Sequence, residues 1–152
     1  MDLNIINSFL FHPRKSNQDI GEKDILIEVE DGIQVGVRFH LIDKSWPTLL
    51  FFHGNGEIVT DYDDIAQVYN QKNINFIIAD FRGYGFSSGV PDVQNIQSDA
   101  HIILDYTIKH LKEKNYSGHL ILMGRSLGSV SVLELSRRYP HDFSGLIIES
   151  GF

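Results

Sequence analysis

One serine in this chain stands where chemistry can make it a nucleophile. Gly124-Arg125-Ser126-Leu127-Gly128 follows the apolar run Leu120-Ile121-Leu122-Met123 and precedes Val130, Leu133, Glu134 and Arg137 at helical spacing. Strand, sharp turn and helix with a serine at the apex is the form of a G-x-S-x-G elbow. There a strained backbone lifts the serine Oγ above the sheet. The flanking glycines suit a turn too tight for Cβ atoms beside the serine. The N–H of Leu127 is left at a helix N-terminus, where it can face developing negative charge. The competing reading is a Gly/Ser-rich helix start in any parallel α/β domain.

The elements that must position this serine are legible on either side of it. Ile25, Ile27 and Val29 alternate with polar residues, Asp31-Gly32 follows, and Ile33, Val35, Val37 and Phe39 alternate again. Period-two patterning on both sides of Asp-Gly predicts a hairpin, with strands over 25–30 and 33–41. Thr48-Leu49-Leu50-Phe51-Phe52 is apolar at nearly every position, as in a strand buried on both faces, and ends at His53-Gly54-Asn55-Gly56. Ile58, Tyr62, Ile65, Ala66 and Tyr69 predict a helix. Phe76-Ile77-Ile78-Ala79 predicts a strand running into Asp80-Phe81-Arg82-Gly83-Tyr84-Gly85-Phe86-Ser87-Ser88-Gly89. A second helix is predicted from Val93, Ile96, Ala100, Ile103, Thr107 and Leu111, and a third runs from the elbow to near Tyr139-Pro140. A sixth strand, Leu146-Ile147-Ile148, leads into Glu149-Ser150-Gly151-Phe152. A hairpin followed by alternating strands and helices predicts a doubly wound, mainly parallel α/β sheet whose ligands bind beyond the C-terminal strand ends. Residues 1–24 read as an N-terminal extension or loop, in which Phe9, Leu10 and Phe11 could pack on the domain. Residues 25–152 read as the domain itself.

Composition narrows the classes. Thirteen basic against twenty acidic residues give a net charge of −7 with no basic stripe, which argues against nucleic acid as a partner. Apolar runs of five or six residues fall far short of a membrane span, and Met1-Asp2-Leu3-Asn4 lacks the basic start of a signal peptide, so a cytoplasmic protein is expected. The absence of cysteine excludes disulfides and thiolate metal sites. Asn115-Tyr116-Ser117 reads as a polar turn rather than a glycosylation site. Gly83-x-Gly85 followed by Gly89 approaches a dinucleotide fingerprint, but Pro91 and further loop intervene before the helix. Asp61, Asp63 and Asp64 could suggest a metal, but acidic residues in a first helical turn complement the helix dipole without one.

Three motifs in order, His53-Gly54-Asn55-Gly56, Asp80 to Ser87 and Gly124 to Gly128, make the chain resemble the N-terminal two-thirds of an α/β-hydrolase. The branch it resembles is that of the α/β-hydrolase domain-containing serine hydrolases, with depalmitoylase-like thioesterases and peptidase-like members. The resemblance runs from about residue 24 to the end. It implies a serine hydrolase that attacks an ester, thioester or amide and passes through an acyl-enzyme, with an acylated or small-molecule substrate and no cofactor or metal. It implies Ser126 as nucleophile, the N–H groups of Leu127 and Asn55 as oxyanion donors, and Tyr84 or Phe86 as substrate-pocket walls, simple loop packing being their alternative.

In this fold the order is serine, acid, histidine. Of seven histidines only His141 follows Ser126, just past the third helix and so at the opposite end of the sheet. The resemblance implies that the loop of His53 supplies backbone donors and that its ring is structural. Glu149 is a weak candidate for the acid. Domains of this kind run to roughly 250 residues, so the chain is expected to be an incomplete α/β-hydrolase domain that stops after strand six. It would then be inactive alone and able to self-associate through the strand-six edge. The alternative function is a non-catalytic relative acting as a binding or interaction protein.

Overall fold

The computed structural model describes residue 7 and residues 9–151; the predicted features at Met1–Asn4 and Phe152 lie outside the described residues. Strands β1 (Asp24–Glu30) and β2 (Ile33–His40) form the hairpin. Gly32, at φ +73°, makes the turn, in register Glu30↔Ile33 with a bulge between Glu28 and Glu30. Alternation works as patterned in β1, with Ile27 and Val29 buried and Glu28 and Glu30 exposed; in β2 Val35 and Val37 are buried, and Arg38 and His40 on the other face are buried too. β3 (Thr48–Phe52), β4 (Asn75–Ala79), β5 (Leu120–Arg125) and β6 (Gly145–Glu149) complete one sheet in the order β1-β2-β4-β3-β5-β6. β2 pairs antiparallel with β1 and β4, and the remaining pairs are parallel.

Every residue of β3 and β4 is buried, because each strand has neighbours on both sides and helices on both faces. Alternate residues feed two cores. Leu50, Phe52, Ile77, Ala79 and Leu122 pack with helices α2 (Val93–Glu113) and α3 (Gly128–Arg138). Leu49, Phe51, Phe76 and Ile78 face the smaller core under α1 (Asp63–Gln71). The helix predicted from Ile58 starts later as regular helix: Val59–Tyr62 is a single 3-10 turn, and α1 follows it. α2 opens with a reciprocal cap in which Asp92 accepts the Asn95 N–H at 2.7 Å and Asn95 Oδ1 accepts the Asp92 N–H at 3.0 Å. Asn73 and Asn115, at φ +60° and +61°, turn the chain out of α1 and α2; Asn115 of the Asn115–Ser117 tripeptide lies in that turn. Leu146, Ile147 and Ile148 of β6 stay 38–45% exposed, the one stretch of the sheet with little cover among the described residues.

Candidate active site

The elbow is built by close approach. Ser126 stands at φ +49°, a backbone region that a non-glycine residue enters only under constraint. A Cβ on Gly124 would lie 2.5 Å from the Gly128 carbonyl oxygen, and one on Gly128 would lie 1.9 Å from that of Phe52. Both partners are backbone, so only glycine fits on either side of the serine. The Ser126 N–H donates to Glu149 O at 2.9 Å. Its carbonyl accepts the N–H of Ser129 at 2.9 Å and the Ser129 hydroxyl at 2.6 Å. These bonds lock the turn. The Leu127 N–H, one residue before α3, donates to no backbone acceptor among the described residues.

The loop after β3 lies beside the elbow. Phe52 pairs with Gly124 in parallel register, and a Cβ on Gly128 would lie 2.9 Å from the His53 carbonyl oxygen, so the start of the loop runs against the elbow. The Asn55 side chain is fully used elsewhere. Its Oδ1 accepts the Tyr84 hydroxyl at 2.6 Å and the His12 N–H at 2.9 Å, and its Nδ2 donates to Leu10 O at 2.7 Å. Only the backbone of Asn55 is left to serve chemistry, and its N–H has no backbone acceptor among the described residues. His53 is completely buried, with Nδ1 2.8 Å from Gly54 O and Nε2 3.1 Å from Asp80 Oδ1, and it packs edge-on against Phe81. Asp80 Oδ1 also accepts the Val59 N–H at 3.0 Å, so this pair ties the loop's two ends to β4. A Cβ on Gly85 would sit 2.0 Å from Asp80 Oδ2, which explains the glycine at that position.

Tyr84 and Phe86 occupy the surroundings of their packing alternative. Tyr84 is wholly buried, burial raises its hydroxyl pKa, and that hydroxyl is held between Asn55 and the His12 N–H. Phe86 is half-buried, close over Gly36, with the Arg38 guanidinium 5.6 Å from its ring. The glycines of this loop fold the chain back on itself: Gly83 approaches Gly89 and Pro91, and α2 begins at Val93 behind its Asp92 cap. That geometry does not open a helix onto a pyrophosphate.

A strap crosses this region, and of the three residues expected to pack on the domain only Phe11 does so. Phe11 is buried, while Phe9 and Leu10 are exposed. Arg14 Nε donates to Gly56 O at 2.8 Å, Gly85 N–H donates to Arg14 O at 2.8 Å, and Arg14 pairs with Asp61. The apolar Phe9-Leu10-Phe11 run was its only signal. Of the aspartates around α1, Asp63 is likewise engaged, accepting two bonds from Arg38 Nη1 at 2.8 and 2.9 Å, while Asp64 is exposed. No group of three metal-ligating side chains occurs among the described residues.

None of the other candidate side chains bonds Ser126 among the described residues; Glu149 meets it only through its backbone carbonyl. His141 lines a groove with His119 and Ser144 where β5 and β6 begin, at the far end of the sheet. His101 bonds Glu134, His119 bonds Ser144, and His40 lies near Asp63. Glu149 stands at the end of β6, its Oε1 3.6 Å from Arg125 Nε. No histidine among the described residues has a hydrogen bond with Ser126. No helix among them is long and apolar enough to cross a membrane.

Residues 44–152 match the family model described as serine aminopeptidase, S33. Protein bem46 of Schizosaccharomyces pombe is 33% identical over 113 residues, 72% of this chain and 36% of its own length. The α/β-hydrolase domain-containing protein WAV2 of Arabidopsis thaliana is 30% identical over 135 residues, 86% of this chain and 42% of its own. A soluble variant of monoglyceride lipase from Saccharomyces cerevisiae superposes with a TM-score of 0.68 at 19% identity, covering 90% of this chain and 49% of the lipase. The chain thus spans about two-fifths of the length of the curated relatives it matches. The matched family model, the mixed sheet and the elbow agree that the chain belongs to the α/β-hydrolase superfamily, in the family described as serine aminopeptidase, S33.

Proposed function

We propose that the native protein is a serine hydrolase acting on an ester, thioester or amide through an acyl-enzyme. Ser126 Oγ adds to the substrate carbonyl carbon while its proton passes to a base. The displaced π pair becomes an oxyanion facing the N–H groups of Leu127 and Asn55. Collapse expels the alkoxide, thiolate or amine, which takes up that proton. Water then repeats the sequence on the acyl group and frees Ser126. The observation that carries this reading is the φ of +49° at Ser126 between two glycines whose Cβ positions are filled by backbone. We assign the base and its acid to residues outside 1–152. A fluorophosphonate probe should label the native gene product and fail to label its Ser126→Ala variant; undiminished labelling of the variant would move the nucleophile elsewhere.

A second reading, a non-catalytic relative acting as a binding or interaction protein, is favoured by the lack of a histidine against Ser126 among the described residues. It would be supported by a native protein that binds a substrate analogue yet neither labels nor turns over. Two further points belong to the same proposal. Cytoplasmic residence is checked by cell fractionation. Self-association of residues 1–152 through the exposed β6 edge is checked by sedimentation, and a monodisperse monomer would contradict it.

A further inference from the structure

Glu57 stands between the two pieces of backbone that the proposed reaction needs in register. Its Oε2 accepts the Gly54 N–H at 2.6 Å and the Tyr62 hydroxyl at 2.7 Å. Its Oε1 pairs with Nη1 of Arg125, the residue immediately before Ser126. The Glu57 N–H returns to Gly54 O at 3.3 Å. A Cβ on Gly54 would lie 3.0 Å from Glu57 Oε2, so the carboxylate closes directly over that peptide. Tyr62 is buried at the 3-10 turn before α1, where burial pushes its hydroxyl up to about 12 and keeps it a donor.

We propose that Glu57 and Arg125 are positioning residues, a charged strut that holds the His53–Gly54 peptide, and with it the adjoining Asn55 N–H, against the Ser126 elbow; the proposal rests on Ser126 being the nucleophile. The two oxyanion donors of that reading sit on different connections, one after β3 and one after β5. Their strands are in register only as far as Phe52↔Gly124. Beyond that pair, the Asn55 side of the loop is tied outward to Leu10, His12 and Tyr84. The Gly54 side is tied inward, through Glu57, to the elbow itself. An isolated surface ion pair does little, but this carboxylate is also hydrogen-bonded to a peptide N–H and a buried phenol, which fixes its orientation. Oxyanion stabilisation depends on donors aimed beforehand, and a misplacement of about 1 Å can slow a reaction roughly 100-fold.

The test uses the native gene product with Glu57→Ala, Glu57→Gln and Arg125→Gln, assayed on a short p-nitrophenyl ester. Glu57→Ala should lower kcat about 10- to 100-fold with KM within about twofold. Glu57→Gln, which keeps one acceptor for Gly54 and Tyr62, should recover part of that loss. A merely structural role would lower the melting temperature without splitting kcat from KM. The second readout needs no turnover: amide hydrogen exchange at Gly54 should quicken at least tenfold in Arg125→Gln, although Arg125 does not touch that N–H, while the β1–β2 amides stay unchanged. Wild-type kcat in Glu57→Ala, or unchanged Gly54 exchange in Arg125→Gln, overturns the strut. Failure of the wild type to label at Ser126 instead overturns the proposed function, and the exchange measurement still decides the strut.

Discussion

Replacing Gly128 by alanine separates two opposing effects at the elbow. Gly128 is the first residue of α3, and helix propensity alone favours alanine over glycine there by about 1 kcal/mol. The structure opposes this. The new Cβ would fall 1.9 Å from the Phe52 carbonyl oxygen, 2.5 Å from its carbon and 2.9 Å from the His53 oxygen. Reaching an ordinary C···O contact near 3.3 Å requires α3 and β3 to part by about 1.4 Å, and no rotamer can relieve the overlap because both sides are backbone. Overpacking typically destabilises by about 1–3 kcal/mol. Taking the upper end against the propensity gain leaves a net loss of about 2 kcal/mol. With a urea m-value near 2 kcal/mol/M, the unfolding midpoint followed by circular dichroism should fall by about 1 M. Gly145→Ala is the control: its nearest atoms are Ile121 Cγ2 at 3.7 Å and Cγ1 at 3.8 Å, so its midpoint should hold. The same parting moves Ser126 relative to the β3 loop and should slow phosphonate labelling by about 100-fold. A Gly128→Ala protein as stable as wild type, or more so, would refute the close approach.

Two further outcomes follow from buried charge. Arg38 is bonded to Asp24 at 2.6 and 2.9 Å and to Asp63, and the Asp24 side chain is 1% exposed. Arg38→Ala strands that carboxylate and should destabilise by about 3–5 kcal/mol in urea unfolding; a loss below about 1 kcal/mol would contradict the pairing. His40 is buried with its Nε2 unsatisfied among the described residues, and burial lowers its pKa from 6.5 to about 4. Lys23 and Arg38 push the same way, and Asp63 and Asp24 oppose them. Between those values the unfolded chain binds more protons than the native one. The His40 contribution is therefore intact above pH 6.5 and falls as pH drops toward 4, by about 3 kcal/mol at most. His40→Gln should shrink the difference in urea midpoint between pH 7 and 4.5; an unchanged difference would exclude His40 as its source.

Features set by local period and turn chemistry were legible in the sequence. Asp31-Gly32 between two alternating runs marks the hairpin, and the wholly apolar Thr48–Phe52 marks a central strand. The glycines around Ser126 point to a turn whose positive φ and crowding the structure then displays. The sheet order, which sets β4 between β2 and β3, has no local signature, because it depends on which crossover passes over which face. Side chains that join distant segments were equally hidden. Tyr84 in a glycine-rich loop looks free to meet a ligand, yet its hydroxyl closes on Asn55 and the strap 72 residues upstream. Glu57 reads as an ordinary loop carboxylate until Arg125 arrives beside it from β5. The site's backbone was visible because glycine restricts it. The side chains that hold it are long-range pairings, which one-dimensional spacing does not encode.

The most direct test is to find where the native gene product is modified. After fluorophosphonate treatment, trypsin cleaves behind Arg125 and Arg137 and releases the peptide Ser126–Arg137, which holds Ser126, Ser129, Ser131 and Ser136. Ser129 and Ser131 are buried and Ser129 already bonds the elbow carbonyl, so fragmentation should place the adduct on Ser126 alone. An adduct on another residue, or an unmodified peptide from a protein that still hydrolyses the ester, would contradict the assignment of Ser126 as the nucleophile.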